Sequence, residues 1–241
     1  MKKYIACWDC KIAAPGNTKL YGFPYNDKGV YEFECPFGHK NLVCLVDLKF
    51  EALFEIGADA VIDGYFRESV SSFASSLERY YEFFVSVVYE HSNKSGEFTP
   101  VWKHVSNQSE RQLGAYILLY PLYFNAEPKI LPPKWVKFRN KVIHKGYIPS
   151  EVEAMEFGEV VYRLVADSLA DLRATMNPSI LKIIGNSLNK TRESLDTENI
   201  TTTSGVTILS LAMEPNHHFT KKFSMHLQNL KQRRQMDETR V

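Results

Sequence analysis

The chain has 241 residues, 44% hydrophobic and 13% aromatic, enough to bury one sizeable core and to carry a small additional module. Its 29 basic and 28 acidic side chains leave a formal net charge of +1, which excludes a nucleic-acid binder that works by bulk charge; any affinity for RNA must come from local patches. No apolar run approaches the roughly 20 residues that span a bilayer, and the opening Met1-Lys-Lys-Tyr-Ile-Ala-Cys7 is interrupted too soon, by Asp9 and Lys11, to be a signal peptide. The expectation is a soluble, cytoplasmic protein with no membrane contact.

All four cysteines, Cys7, Cys10, Cys35 and Cys44, fall in the first fifth of the chain. In a reducing compartment clustered thiols favour metal over disulfides. Cys7-x-x-Cys10 is a two-ligand knuckle, and Cys35-Pro36-Phe37-Gly38-His39 adds a thiolate and an imidazole. Together they make the four N/S ligands of a closed, structural zinc site. Cys44 competes with His39 for the fourth place, but it lies in the apolar run Asn41–Val46, where a thiol behaves as a small hydrophobe, so His39 is favoured. Strands are expected at about Lys3–Ala6, Leu20–Phe23, Val30–Phe33 and Leu42–Val46, broken by turns at Pro15-Gly16 and at Asn26 to Gly29. So small a ribbon depends on its metal for stability.

From Asp47 the period changes from two to 3.6. A helix of about Asp47 to Asp63, interrupted near Gly57 and Gly64, leads to a long core helix with Phe66, Val70, Phe73, Leu77, Phe84 and Val88 on one stripe. Ser69, Ser72, Ser76, Arg79 and Glu82 fall mostly off it. After a loop from Ser92 comes a helix of about Asn107 to Tyr120, ending at Pro121, and then an extended approach through Pro128, Pro132 and Pro133. Trp102 and Trp135 read as packing residues.

The next helix, Trp135 to Lys145 with Gly146 as its stop, gathers Arg139, Asn140 and His144. Asn140 and His144 share a face one turn apart, with Arg139 about 100° to the side of Asn140. A guanidinium binds phosphate oxygens bidentately and keeps its charge. An imidazole titrates near neutrality and can take a proton from a ribose 2′-hydroxyl or give one to a leaving 5′-oxygen. The competing reading of His144 is a cation favoured by a helix C-terminus. Ser150-Glu-Val-Glu153 is a capping box that starts a long helix to about Met176, before Pro178, with Met155, Val161, Leu164, Val165, Ser168 and Leu172 inward. Asn186 to Ser204 reads as an exposed loop, and His218 to Arg234 as a basic amphipathic helix, docked with a solvated basic face or holding RNA or a partner.

Arg139-Asn140-x-x-x-His144, followed by Lys145-Gly146-Tyr147-Ile148-Pro149-Ser150 and a new helix, resembles the Arg-polar-x3-His signature of the HEPN superfamily, over roughly residues 47 to 180. The resemblance implies a mainly α, HEPN-like helical bundle behind the small β-rich zinc ribbon. It also implies a metal-independent endoribonuclease of phage-defence or toxin–antitoxin type in which Arg139, Asn140 and His144 are catalytic, working as a homodimer on RNA beside an antitoxin or defence partner protein. Glu78 is an accessory candidate, positioned to orient His144 or pair with Arg139, although a solvated surface charge is the commoner state of a glutamate; Lys141, Lys145 and Tyr147 are further auxiliaries. The alternative is a non-catalytic module that binds a nucleotide, RNA or a protein, anchored by the ribbon. The division expected is residues 1–46 for the ribbon, 47–182 for the bundle and 183–241 for the loop and last helix.

Overall fold

The computed structural model describes residues 2–14, 19–195, 200–203, 207–211 and 221–239. Strand β1 (Lys3–Ala6) pairs antiparallel with β2 (Leu20–Phe23), and β3 (Val30–Glu34) with β4 (Lys40–Leu45), close to the positions set by alternation and turn residues. The turn before β3 closes with the Gly29 N–H donating to the Asn26 carbonyl at 3.3 Å, with Gly29 at φ +63°, a conformation that glycine takes without strain. Ile5, Tyr31 and Val43 form a small core of their own, flanked by Phe23, Phe33 and Leu45. A short helix, α1 (Trp8–Ala13), lies within the first knuckle. The Pro15-Gly16 turn lies outside the described residues.

The rest is mainly helical, so a small β-rich part precedes a helical bundle. Its members are α2 (Lys49–Ile62), α3 (Phe66–His91), α4 (Ser95–Trp102), α5 (Ser109–Phe124), α6 (Pro133–Lys145), α7 (Glu151–Glu193) and α8 (Phe223–Thr239). The long helix α3 is the axis, touched by α2, α4, α5, α6 and α7. Its apolar stripe runs through Val70, Phe73, Leu77, Tyr80, Phe84 and Val88, all buried. Trp102 and Trp135 are buried as expected. No helix among the described residues is long and apolar enough to cross a membrane.

Several expectations are corrected. Helix α2 is continuous through Gly57, because the glycine serves contact rather than a break: a Cβ there would stand 2.7 Å from the Phe73 ring. Gly158 of α7 grips the same ring from another side, where a Cβ would meet Phe223 at 2.6 Å and Phe73 at 2.8 Å. Ser69 and Ser76 are buried rather than off the stripe, and the Ser76 hydroxyl donates to the Phe50 carbonyl at 2.7 Å. The expected loop after Ser92 contains α4, and α5 runs through Pro121, which sits on the exposed side where the carbonyl it leaves without a donor can take water. Met155 and Leu164 are only half-buried, while Ser168 faces inward and accepts from the Tyr80 hydroxyl at 2.6 Å.

Helix α7 passes Pro178 with a kink at Met176 (φ −127°) and continues to Glu193. Much of the expected exposed loop from Asn186 is therefore helix. Its tail supplies a strand, β5 (Thr201–Thr203), that pairs parallel with β4. The last helix is described from Phe223, with Phe223, Leu227 and Leu230 buried; its expected start at His218, and Phe219, lie outside the described residues.

The C-terminal segment is held by the acidic side of α2. Glu51 accepts the Leu211 N–H at 2.8 Å, and the Arg173 guanidinium donates to the Leu211 carbonyl. Glu55 accepts the Ile208 N–H at 3.0 Å and pairs with Arg233; Arg234 reaches Asp59 at 3.4 Å and Asp63 at 2.8 Å. Two of the cations expected to make a solvated basic face are thus spent on docking α8. Burial pushes the Glu51 carboxyl up to about 8 and that of Asp59 up to about 6.

Gly158→Ala should lower stability by about 1–3 kcal/mol, the usual cost of overpacking, read as a lower melting temperature. Because Glu51 and Asp59 hold protons more tightly folded than unfolded, the stability they confer is greatest below their ordinary pKa and declines as pH rises toward about 8. Melting curves of wild type and Glu51→Gln between pH 4.5 and 8.5 should show a smaller decline with pH in the variant.

Candidate functional site

The first constellation lies in the ribbon. Cys7 ends the link from β1 and leads into α1, whose Lys11 N–H donates to the Cys7 carbonyl at 3.0 Å. In the other knuckle the Cys35 N–H donates to the His39 carbonyl at 3.0 Å and the Gly38 N–H to the Cys35 carbonyl at 2.9 Å, with Gly38 at φ +81°. The Sγ atoms of Cys7, Cys10 and Cys35 and Nδ1 of His39 all lie within 4.8 Å of one another. The separations are 3.7 Å for Cys7–His39, 3.4 Å for Cys10–His39, 3.3 Å for Cys35–His39 and 3.8 Å for Cys10–Cys35. A tetrahedral ion such as zinc, with bonds of about 2.0–2.3 Å, needs edges of roughly 3.5–3.8 Å, so the set fits a metal ion. Cys44 is not in it; the thiol is buried on β4 opposite Val30.

The thiols feel one another. Burial acts to raise Cys7, but the Cys10 backbone N–H, the Asn41 side chain and the neighbouring Cys10 and His39 bring it down to about 7. Desolvation and the adjacent Cys7 and Cys35 push Cys10 up to about 12. Thiolates this crowded resist ionising together, and a bound dication removes that penalty. Buried Asn41 braces the two knuckles: its Oδ1 accepts the Trp8 N–H at 3.3 Å and its Nδ2 donates to the His39 carbonyl at 2.9 Å. Sequence reading missed it, because an asparagine in a strand carries no ligand signature.

The second constellation is α6. Pro133 suits a first helical turn. At the other end Gly146, at φ +68°, turns the chain so that its N–H and that of Tyr147 both donate to the Lys141 carbonyl. Trp135 and Val142 are buried, and Phe138 contacts Trp135, Phe157 of α7 and Tyr147. These contacts set the rotation of the helix, leaving Arg139 and Asn140 half-buried and Lys141, His144 and Lys145 exposed. Asn140 Oδ1 accepts from Arg139 Nε at 3.1 Å and Nη2 at 2.9 Å. Arg139 Nη1 stands 4.0 Å from Glu78 Oε1 on α3. Burial raises the Glu78 carboxyl, partly offset by Arg139 and Arg79.

Arg139, Glu78, Tyr81, Ser109 and Glu110 line a cleft of about 120 Å³. The structure therefore brings Arg139, Asn140 and Glu78 together, and Glu110 joins them from α5. His144 stands apart at the exposed end of α6, about 140° round the helix from Arg139, and it makes no hydrogen bond among the described residues. Tyr147 is committed to the joint between α6 and α7: its hydroxyl donates to Glu153 at 3.0 Å, which raises its own pKa, and Lys141 Nζ lies 3.3 Å from its ring centroid. Ser150 and Glu153 form the expected capping box.

Set against known protein families, curated proteins and solved structures, the chain matches none of them.

Metal analysis of the purified chain should give about one tetrahedral ion per protomer, lost in Cys7→Ser/Cys10→Ser. Asn41→Ala, which keeps all four ligands, should weaken metal affinity by about 10- to 100-fold in a chelator competition.

Proposed function

We propose that the protein is an endoribonuclease whose cleavage step needs no metal, capped by a structural zinc ribbon and acting in phage defence or as a toxin. The observation that carries this reading is the outer end of α6. A guanidinium braced by an amide faces a carboxylate-walled cleft, and an imidazole lies open to solvent one turn beyond the amide. That combination, with the Arg-Asn-x3-His spacing, resembles the HEPN ribonucleases.

Arg139 takes the non-bridging oxygens of the scissile phosphate, exchanging its 4.0 Å contact with Glu78 for a bidentate one. Asn140 holds the guanidinium in aim. The ribose 2′-oxygen attacks phosphorus, its proton passing to an imidazole, and the bond to the 5′-oxygen breaks as that oxygen receives a proton. The products are a 2′,3′-cyclic phosphate and a 5′-hydroxyl. Each chain supplies one His144 to this site, so a homodimer with α6 facing α6 furnishes one imidazole to accept and another to donate. RNA is the substrate, an antitoxin or defence protein is the partner, and the cytoplasm, where thiols stay reduced, is the compartment. Lys145 is exposed beside His144 and free to meet the strand, whereas Lys141 and Tyr147 serve the helix joint.

His144→Ala should lose RNA cleavage by about 100-fold or more while keeping RNA affinity, and Arg139→Ala should lose both. Wild-type cleavage should persist in EDTA, with zinc retention measured in the same sample. Equal RNA binding by wild type and His144→Ala with no cleavage by either would replace this reading with a non-catalytic binding module.

A further inference from the structure

The two knuckles of the ribbon repeat one small pattern. An aromatic residue stands between the ligands and a lysine follows the second ligand: Cys7-Trp8-Asp9-Cys10-Lys11 and Cys35-Pro36-Phe37-Gly38-His39-Lys40. Neither ring is packed away. Trp8 is 50% exposed and Phe37 78%, whereas the other tryptophans, Trp102 and Trp135, are 7% exposed. Holding large apolar rings in water forgoes roughly 25 cal/mol for each Å² that burial would remove. The rings are also held on stiff supports: the Trp8 backbone is tied to Asn41, and Phe37 rides the tight Cys35–His39 turn with Gly38 at φ +81°.

One lysine accompanies each ring, with Asp9 in the first knuckle and Glu34 across the strand pair from Lys40 as the nearby acids. Lys11 Nζ lies 5.5 Å from the Trp8 ring centroid, and Lys40 is exposed at the start of β4. Neither lysine makes an ion pair among the described residues. An apolar protein surface would satisfy the rings but bring neither ammonium group an anion. A single strand of nucleic acid satisfies both, since bases stack on aromatic faces and phosphates take the cations.

We propose that the two metal-linked knuckles form a stacking platform for single-stranded RNA, with bases on Trp8 and Phe37 and their phosphates at Lys11 and Lys40. The identity of the strand as RNA rests on the ribonuclease reading; the platform itself rests on the ribbon.

The test uses the zinc-loaded full chain and a 2′-O-methyl oligouridine 12-mer, which lacks the attacking hydroxyl, so binding is read without cleavage. Trp8 is the exposed tryptophan, so the oligonucleotide should quench its fluorescence. Phe37→Ala and Trp8→Ala, with metal content verified, should each weaken binding of a labelled 12-mer by about 5- to 150-fold, the range for one lost stack. Trp8→Phe should restore it. Lys11→Gln/Lys40→Gln should lower the slope of affinity against salt by about one to two. Wild-type affinity in both alanine variants, or equal quenching by heparin, which has charge but no bases, would overturn the platform. If natural RNA is cut normally while the alanine variants bind unchanged, the platform fails and the nuclease reading survives. If stacking holds but natural RNA is not cut, the nuclease reading fails and the platform stands.

Discussion

Carboxyls recur at four-residue spacing along α2 and its two ends, Asp47 just before the helix, Glu51, Glu55 and Asp59 within it and Asp63 at its C-cap, and the docking of the ribbon and of the C-terminal segment depends on them. A buried carboxyl, ionised or protonated, needs hydrogen-bond partners, and Glu51, Glu55 and Asp59 are all buried. Each carboxyl is met from a different part of the molecule. Lys3 of β1 reaches Asp47 at 2.6 Å and fastens the ribbon, the amides of Ile208 and Leu211 fasten the segment before α8, and Arg233 and Arg234 fasten α8 itself. The adjoining side of α2, with Phe50, Phe54, Ala58 and Val61, enters the apolar core, so α2 joins the two kinds of adhesion.

Both constellations are organised by an asparagine. Asn41 draws the backbones of two knuckles toward one another, and Asn140 fixes the tilt of one guanidinium. In each case a neutral amide, never itself ionised, holds titratable or charged neighbours in place by accepting or donating hydrogen bonds. Groups ordered in advance lose less freedom in any binding that follows.

What was legible in the sequence is what short-range chemistry decides. Gly29, Pro133, Gly146 and the Ser150 box place their elements within a residue or two, because a backbone torsion or a cap is settled by neighbours in the chain. The Cys3His set was legible because ligand spacing is itself a local geometry. What failed depends on distant partners. Gly57 looks like a break until Phe73 is seen against it, Pro121 and Pro178 look like stops until the surrounding packing carries the helices through, and the basic residues of the last helix look like a solvated face until the acids of α2 meet two of them. The polar tail from Asn186 has too few apolar residues to announce a helix, and β5 is three threonines whose reason for being a strand lies in β4. The closeness of Arg139 to Glu78 is anticipated through the family resemblance rather than through any pattern within either helix; physically it follows from α6 packing against α3.

The parallel pairing of β5 with β4 joins Val43 to Thr201, across about two thirds of the chain. Closing a loop of that length carries a large entropic cost in advance of any contact that rewards it. A nascent chain leaving the ribosome from its N-terminus therefore has the residues of the β3–β4 hairpin and all the metal ligands in hand long before Thr201–Thr203 are synthesised. Until then the outer edge of β4 has its N–H and C=O groups open, and any other extended peptide is a competitor for them. The ribbon's third strand is thus a late addition, laid down only after roughly four-fifths of these residues have been made.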